Sequence, residues 1–583
     1  MNKYALISVF DKSNIEVFSS YLVRQHYNIL STDNTGQYLD KYNIPNIRIS
    51  AFTKFPEMLN GRVKTLHPKI YGGILGLRDR EKERDIATYI DMVIVNLYPF
   101  KQVINRKNHT LEDAINNIDI GGVSLLRAAA KNYKHVLSIT EPEQYNKIMG
   151  LQKITDEIKL EFAKKTWKYV TDYDITISSY LNKDTTYRTY EKQYPLKYGC
   201  NSYQTQGGVY KLKDSYFPFK ILNGSMSYIN QLDAIISWKL VTELKDAFSI
   251  PCAASFKHNT PAGVGTGIDL SNELLKVCFI NSEYKLNSTS NAFLRARYTD
   301  PLSSFGDFIA ISDRVEEETA LLIKNEVSDG IIAPSFSDKA LEILRSKKSG
   351  NYIIIEGNPY YHDNIAYREL YNVVLSQKEN IQSANVLRIK NIVTEKKNIN
   401  NYNNLLLANI TCKYTPSNSI VMAYDGQVIG VGAGQQNRVD CIRLAGEKGR
   451  MWFLRQHEQC LNIKFGKKAK RTDKINSITR YLQEPSLITN FDHELCSNVY
   501  PTGKIPKQLN NKDKEQYLKQ IMKNIALASD GFFPFADSIE ECNKYGVSHI
   551  VQPGGSVSDE SVIWACDAHN MIMYNSGVRF FTH

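Results

Sequence analysis

The sequence predicts an α/β protein of several domains. Strand-length apolar runs alternate with amphipathic helical stretches through Ile139, as in a parallel sheet wound on both faces. A polar stretch without apolar periodicity, Asn182 to Pro195, then interrupts the chain. At 583 residues the chain is also too long for one core. These features place a boundary in the polar stretch and give domains 1–194 and 195–583.

Ala5–Val9 reads as a buried first strand and Ile15–Arg24 as an amphipathic helix. Asn28–Leu30 is a second strand, with a helix after Thr35. Met92–Val95 is a buried strand ending at Asn96-Leu97-Tyr98-Pro99. Thr110, with Asp113 three residues on, reads as a helix start with a capping box. Asp119-Ile120-Gly121-Gly122 breaks the pattern before a helix through Leu125, Leu126 and Ala129, and His135–Ile139 is another strand. Ligands of such sheets sit beyond the carboxyl ends of the strands, which directs attention to Asp11, Lys12, Asn96, Tyr98 and the segment after Ser31.

In the second half a long helix within Ser225–Phe248 carries Leu232, Ile235, Ile236, Leu240, Val241 and Leu244 on one face. Ala253–Phe256 is a short strand leading into a Lys257-His258 turn. Asp425-Gly426 between two apolar runs predicts a hairpin. Gly430-Val431-Gly432-Ala433-Gly434 lacks dinucleotide-binding spacing and fits close backbone approach instead. Ser328-Asp329-Gly330 is echoed by Ser529-Asp530-Gly531, as two similar subdomains, or chance, would produce.

Composition narrows the function classes. A hydrophobic share of 42% and a charged share of 23% are those of a soluble globular protein. No apolar run is long enough to cross a bilayer, and the first residues are too polar for a signal peptide, so a cytosolic protein is expected. The nine cysteines show no CxxC spacing, which predicts buried reduced thiols rather than a zinc site or disulfides. The net charge of +11 and the run Lys467-Lys468-Ala469-Lys470-Arg471 raise the question of nucleic acid. Without an RNA-binding or zinc-finger signature a solvated loop is favoured, and steering of polyanionic small molecules is the third reading.

Two segments group cations, a hydroxyl and a histidine: Gly61-Arg62-Val63-Lys64-Thr65-Leu66-His67-Pro68 and Ser255-Phe256-Lys257-His258-Asn259-Thr260-Pro261-Ala262-Gly263. Such groups suit a phosphorylated substrate and a developing oxyanion, and two of them suggest two active sites.

The segments GRVKTLHP, NLYPF, IDIGGVSLLRAAAKN, SFKHNTPAG, SSFGDF, EVSDGIIAP, KYTPSNS and GAGQQNR occur in one order along the chain. Together they resemble the bifunctional family that joins 5-aminoimidazole-4-carboxamide ribonucleotide (AICAR) formyltransferase to IMP cyclohydrolase. The resemblance implies a methylglyoxal-synthase-like N-terminal domain and two cytidine-deaminase-like C-terminal subdomains without catalytic zinc. It implies formyl transfer from 10-formyltetrahydrofolate to AICAR, then ring closure to IMP. It also implies a homodimer and allows a structural potassium ion.

By the same resemblance, Lys257 is the oxyanion cation, His258 the proton acceptor and Asn418 an amide beside the formyl group. Lys197, Tyr198, Asn230, Ser304, Phe305, Gly306, Arg438, Arg579 and Phe581 match substrate-binding positions, with Arg438 on the nucleotide phosphate. Phe305 also lies by the folate ring, Asp329 matches a pterin contact, and His583 belongs to a tail that returns to the site. For ring closure Lys64 and Lys131 are oxyanion or carboxamide contacts, Asp119 a proton acceptor and Tyr98 a donor. Lys12, Thr32, Thr35, Arg62 and Thr65 match the phosphate side.

Three departures from the family pattern stand out: Phe10 in place of a serine, Thr32-Asp33-Asn34-Thr35 in place of Ser-Gly-Gly-Thr, and Lys197 and Tyr203 in place of arginine and histidine. Asp33 would place a negative charge near a phosphate. These departures support a second hypothesis, a transformylase whose cyclohydrolase domain is weakened. A third, a nucleotide- or RNA-binding protein without turnover, rests on the basic run.

Overall fold

A computed structural model describes the chain except residues 1, 60, 81–87, 282–283, 361–363, 382–390, 398–399, 468, 484–498 and 502–506. The chain forms two compact units, Met1–Thr189 and Tyr190–His583.

The first unit is built on β1 (Lys3–Val9), β2 (Tyr27–Ser31), β3 (Ile47–Arg48), β4 (Met92–Asn96) and β5 (Leu137–Ile139). Among the described residues these form one parallel sheet in the order β3-β2-β1-β4-β5. Side chains alternate across it. Ile7 and Ile94 join Phe18, Leu22 and Phe162 on one face, while Leu6, Val93 and Val95 join Ile70, Ile74 and Leu125 on the other. Both faces are therefore covered, as a doubly wound sheet requires. The helix Ile15–Arg24 and the Thr110–Asp113 capping box fall where the sequence puts them.

One local expectation changes. The helix expected after Thr35 begins at Asp33 with Thr32 as its N-cap, so Thr32-Asp33-Asn34-Thr35 is a first helical turn. Aspartate is favoured there by the positive end of the helix.

The second unit opens with a hairpin, β6 (Tyr190–Pro195) and β7 (Gly208–Leu212). Its strands then run β8 (Phe219–Asn223), β9 (Cys252–Lys257), β10 (Thr260–Thr266), β11 (Asp307–Ile311), β12 (Ser328–Ala333) and β13 (Ile353–Gly357). A separate hairpin, β14 (Ile365–Leu370) and β15 (Val373–Lys378), precedes β16 (Ile420–Tyr424), β17 (Gln427–Gly432), β18 (Ile525–Ser529), β19 (Val547–Gln552) and β20 (Ile572–Asn575). The main sheet has the order β20-β19-β18-β16-β17-β10-β9-β11-β12-β13-β8.

Read outward from the central β17–β10 pair, this order is a repeat. The run β10-β9-β11-β12-β13 is matched strand for strand by β17-β16-β18-β19-β20. Two similar subdomains therefore exist, but the echoed Ser-Asp-Gly segments do not correspond. Ser328 opens β12, whereas Ser529 closes β18, whose counterpart is β11.

The helix Tyr228–Phe248 forms; of the expected face it buries Leu240, Val241 and Leu244, together with Ala234, Ser237 and Trp238, while Leu232, Ile235 and Ile236 stay half-exposed. The Asp425-Gly426 turn has positive φ at both residues, 47° and 69°, as a tight hairpin turn needs. Of the described cysteines, Cys200 is exposed and the other seven are buried and free; Cys496 lies outside the described residues.

Candidate active sites

In the first unit the candidates converge where β1 and β4 end. Asn96, the last residue of β4, accepts from the N–H groups of Phe10 at 2.6 Å and Asp11 at 2.9 Å and donates to Asp11 O at 2.8 Å. It thereby fixes the loop carrying Lys12. Thr35 Oγ1 accepts from the Val9 N–H at 3.2 Å and from Thr32 Oγ1 at 3.2 Å, which ties the helix start to the end of β1.

Asp119 lies opposite. Its Oδ1 accepts from Gly122 N–H at 2.7 Å, and the Tyr98 backbone also donates to its carboxylate. Gly122 permits this approach, because a Cβ there would lie 2.5 Å from Asp119 Oδ2. Burial raises the Asp119 carboxyl, while Gly122, Lys64 and Tyr98 pull it down. Lys64 acts electrostatically on both Asp119 and Lys12, and Lys12 is lowered first by burial and then by Lys64. Thr65 is buried, with its hydroxyl close to the helix start at Gly121.

The remaining candidates are placed less centrally. Arg62 is exposed and reaches Asn116 Oδ1 at 3.4 Å. His67 caps the helix Pro68–Leu75 through Nδ1, which accepts from Lys69 N–H at 3.1 Å. Lys131 ends the helix Gly121–Lys131, about 15 Å along its axis from Gly121, so the structure does not gather it with Asp119 and Lys64. Phe10 is half-exposed and packs edge-on against Tyr98, with ring centroids 5.8 Å apart.

In the second unit β9 and β10 are joined by His258-Asn259, both left-handed with φ of 53° and 62°. This two-residue turn presents Lys257 and His258 at the end of the two strands, in the middle of the sheet. Lys257 Nζ donates to Phe305 O at 2.6 Å, which ties the turn to the Ser304-Phe305-Gly306 loop. Ser304 is buried, Phe305 is about half-exposed at 49%, and Gly306 has φ of 75° with open space around it. Asp329, near the start of β12, receives Asn230 Nδ2 at 3.3 Å and Lys348 Nζ at 2.6 Å. Tyr194 OH donates to Gln231 Oε1 at 2.5 Å, which anchors the β6–β7 hairpin, and with it Lys197 and Tyr198, at the same helix start as Asn230.

The sequence reading passed over two residues of this cluster. One is Lys348, the partner of Asp329. The other is Asp233, whose Oδ1 accepts from Asn259 N–H at 2.7 Å and whose carboxyl is pushed up to about 6, chiefly by burial. A carboxylate next to Leu232 and Ala234, within the apolar stretch of the helix, was the available signal.

A second cluster surrounds Asn418, just before β16. Its Oδ1 accepts from Arg438 Nη2 at 3.1 Å and its Nδ2 donates to Gln435 O at 2.9 Å. Arg438 Nε donates to Phe532 O at 2.9 Å, and Nη1 to Ser529 Oγ at 2.9 Å and Asp530 Oδ1 at 2.5 Å. Four of its five N–H donors are thus used inside the protein. The geometry makes Arg438 an organiser of Asn418 and Asp530 rather than the phosphate fork expected from the sequence.

The C-terminal tail does return here. Phe580 N–H donates to Asp530 O at 2.9 Å and Thr582 N–H to Ser417 Oγ at 3.1 Å. Phe581 then stacks under Arg579 at 4.5 Å, and His583 lies beside it with ring centroids 6.1 Å apart. Gly531 leaves room for Arg438 and Phe581, whose atoms would lie 2.2 and 2.7 Å from a Cβ.

The basic run is partly taken out of solution. Arg471 begins the helix Arg471–Leu482 and pairs with buried Glu326 at 2.7 Å, and Lys468 lies outside the described residues. Among the described residues no group of three or more His, Cys, Asp or Glu side chains is gathered as metal ligands would be. No described helix is long and apolar enough to cross a membrane.

A doubly wound first unit and a duplicated second unit, each presenting cations and acids at the ends of its strands, define a two-site α/β enzyme. The methylglyoxal-synthase-like (MGS-like) domain model matches residues 14–124, and the AICARFT/IMPCHase bienzyme model matches residues 129–448. The chain belongs to the AICARFT/IMPCHase bienzyme family. It is 33% identical to the bifunctional purine biosynthesis protein PurH of Prochlorococcus marinus subsp. pastoris and 33% identical to that of Bacillus mycoides, over the full length of each pair. The crystal structure of ForH aligns with 31% of this chain and all of its own at 28% identity, with a TM-score of 0.29.

Proposed function

We propose that the chain catalyses two successive steps of purine biosynthesis in the cytosol: formyl transfer to AICAR and cyclisation of the product to IMP. Full-length similarity to bifunctional PurH proteins, with both clusters in place, carries this reading.

The second unit performs the transfer, with 10-formyltetrahydrofolate as co-substrate. The 5-amine of AICAR is a weak nucleophile because its lone pair is shared with the ring. As its nitrogen attacks the formyl carbon, His258 takes the proton and Lys257 faces the oxyanion. The bond from the formyl carbon to the folate nitrogen then breaks, and tetrahydrofolate leaves protonated. Asp233 holds the turn that carries His258 through the Asn259 N–H. Asn230, Asp329 and Phe305 supply polar and stacking contacts to nucleotide and folate. Lys197 and Tyr198 lie toward the nucleotide.

The first unit closes the ring. The carboxamide nitrogen attacks the formyl carbon of the same molecule, so proximity already supplies much of the rate. Asp119 receives the amide proton, Lys64 holds the oxyanion, and Tyr98 donates as water leaves. Lys12, Thr32, Thr35 and Thr65 receive the phosphate.

The transformylase works as a homodimer in this reading. Lys257 on β9 and Asn418 before β16 lie at the same end of the strands but three strand spacings apart, about 14 Å. A second subunit that supplies one of the two clusters would bring both onto one substrate. The β14–β15 hairpin supports the same conclusion. It exposes Leu370, Tyr371, Val373, Val374 and Leu375, and a lone hairpin is marginal in water. A structural potassium ion belongs to this reading, and no step passes through it.

A second reading, a transformylase with a weakened cyclohydrolase, rests on Phe10 against Tyr98 and on Asp33 at the helix start. The deciding assay supplies AICAR and 10-formyltetrahydrofolate and follows tetrahydrofolate and IMP separately. Both products support two working sites. Accumulation of formylated AICAR supports the second reading, and no turnover of folate rejects both.

A further inference from the structure

The second unit contains a cavity that this chemistry does not use. It lies among the helices Asn272–Val277, Glu458–Leu461 and Arg471–Leu482, the residues after the helix Ser288–Arg297, and the end of the helix Arg438–Leu454. Its volume is about 100 Å³, and Phe279, Tyr298, Ile463, Phe465, Ile475 and Ile478 form much of its wall.

One buried cation enters this wall. Arg455 is 7% exposed and lines the cavity. Among the described residues its guanidinium makes one hydrogen bond, from Nη1 to Thr299 O at a long 3.4 Å. A guanidinium has five donors, and a buried one left unpaired is costly. Asp300, the carboxylate whose field reaches Arg455, is held by Lys448 at 3.3 Å and by Ser303 Oγ at 2.6 Å. Two other polar groups of the wall are occupied or uncharged. Tyr298 OH donates to Glu326 at 2.9 Å, and burial pushes the Cys460 thiol up to about 12. Lys276 stands at the exposed rim.

We propose that this cavity binds a small monocarboxylate, whose carboxylate takes the open donors of Arg455 and whose short tail lies against Phe279, Phe465 and Ile475. An apolar cavity of about 150 Å³ holds the six carbons of benzene, so this one suits a ligand of about four carbons in all. An amino acid would set an ammonium beside the guanidinium and is disfavoured.

Isothermal titration of the full-length protein with butyrate and butyramide tests the site. Butyrate is expected to bind saturably at one per chain, with butyramide about tenfold weaker or worse. Arg455→Met should weaken butyrate by about tenfold or more, and Ile478→Trp, which fills the cavity from its rim, should abolish binding. Absence of saturable butyrate binding, equal binding of butyramide, or full affinity in Ile478→Trp would overturn the proposal. If Arg455→Met does not fold, the butyramide comparison on the unaltered protein and Ile478→Trp still decide it.

Discussion

The backbone N–H of Asn259 donates to Asp233 Oδ1 at 2.7 Å, so the turn bearing Lys257 and His258 is anchored to a carboxylate on a different element. That carboxyl is raised to about 6 by burial foremost, with Asp329 and Asp307 adding to the rise and Asn259 and His258 opposing it. An acid whose folded value is raised holds its proton more tightly folded than unfolded. Its contribution therefore favours folding while it is protonated and is lost as the pH rises from about 4 to 6. Asp233→Asn removes that loss. Urea titrations should show the variant gaining on the unaltered protein by up to about 3 kcal/mol between about pH 4 and pH 7. An equal gap at both pH values would show that Asp233 does not titrate in this window.

In the proposed mechanism Lys257 and Lys64 serve different steps. Lys257→Met should lower formyl transfer by about a hundredfold or more and leave cyclisation of supplied formyl-AICAR intact. Lys64→Met should do the reverse. The two assays run on both variants check this, and loss of both activities in either one would contradict separate sites.

Asp119 is partly buried and accepts two backbone N–H groups, and Asp119→Asn keeps an acceptor oxygen for Gly122 N–H while removing the base. Cyclisation should fall by about 10²–10⁴. A stopped-flow record of IMP formation with near-normal kcat would assign Asp119 to capping alone.

Asp33 occupies the helix end that the phosphate would share. Asp33→Gly should lower KM for formyl-AICAR by a few-fold, corresponding to about 0.3–1 kcal/mol, with little change in kcat. Steady-state kinetics at low and high salt measure it, and an unchanged KM would place Asp33 away from the phosphate.

The exposed hairpin should be an assembly element. Val374→Lys with Leu375→Lys is expected to shift the protein toward monomer in sedimentation and to lower formyl transfer while ring closure continues. A variant that remains dimeric with full transformylase activity would separate the hairpin from the interface.

Much of this protein is legible from local sequence. The helix Ile15–Arg24, the Thr110 capping box and the Asp425-Gly426 turn each depend on residues a few positions apart, and each formed as read. The alternation of apolar runs likewise determined a parallel first sheet, and the ordered motifs determined the family. What only the tertiary structure decided involves partners far apart in the chain. Arg438 spends its donors on Asn418, Ser529, Asp530 and Phe532, and no local pattern announces that commitment. Helix length set Lys131 apart from Asp119, and strand order assigned Ser328 and Ser529 to non-equivalent strands of a real repeat. Periodicity and turn chemistry are short-range properties of the chain. Hydrogen-bond partners, burial and charge pairing exist only once distant segments meet.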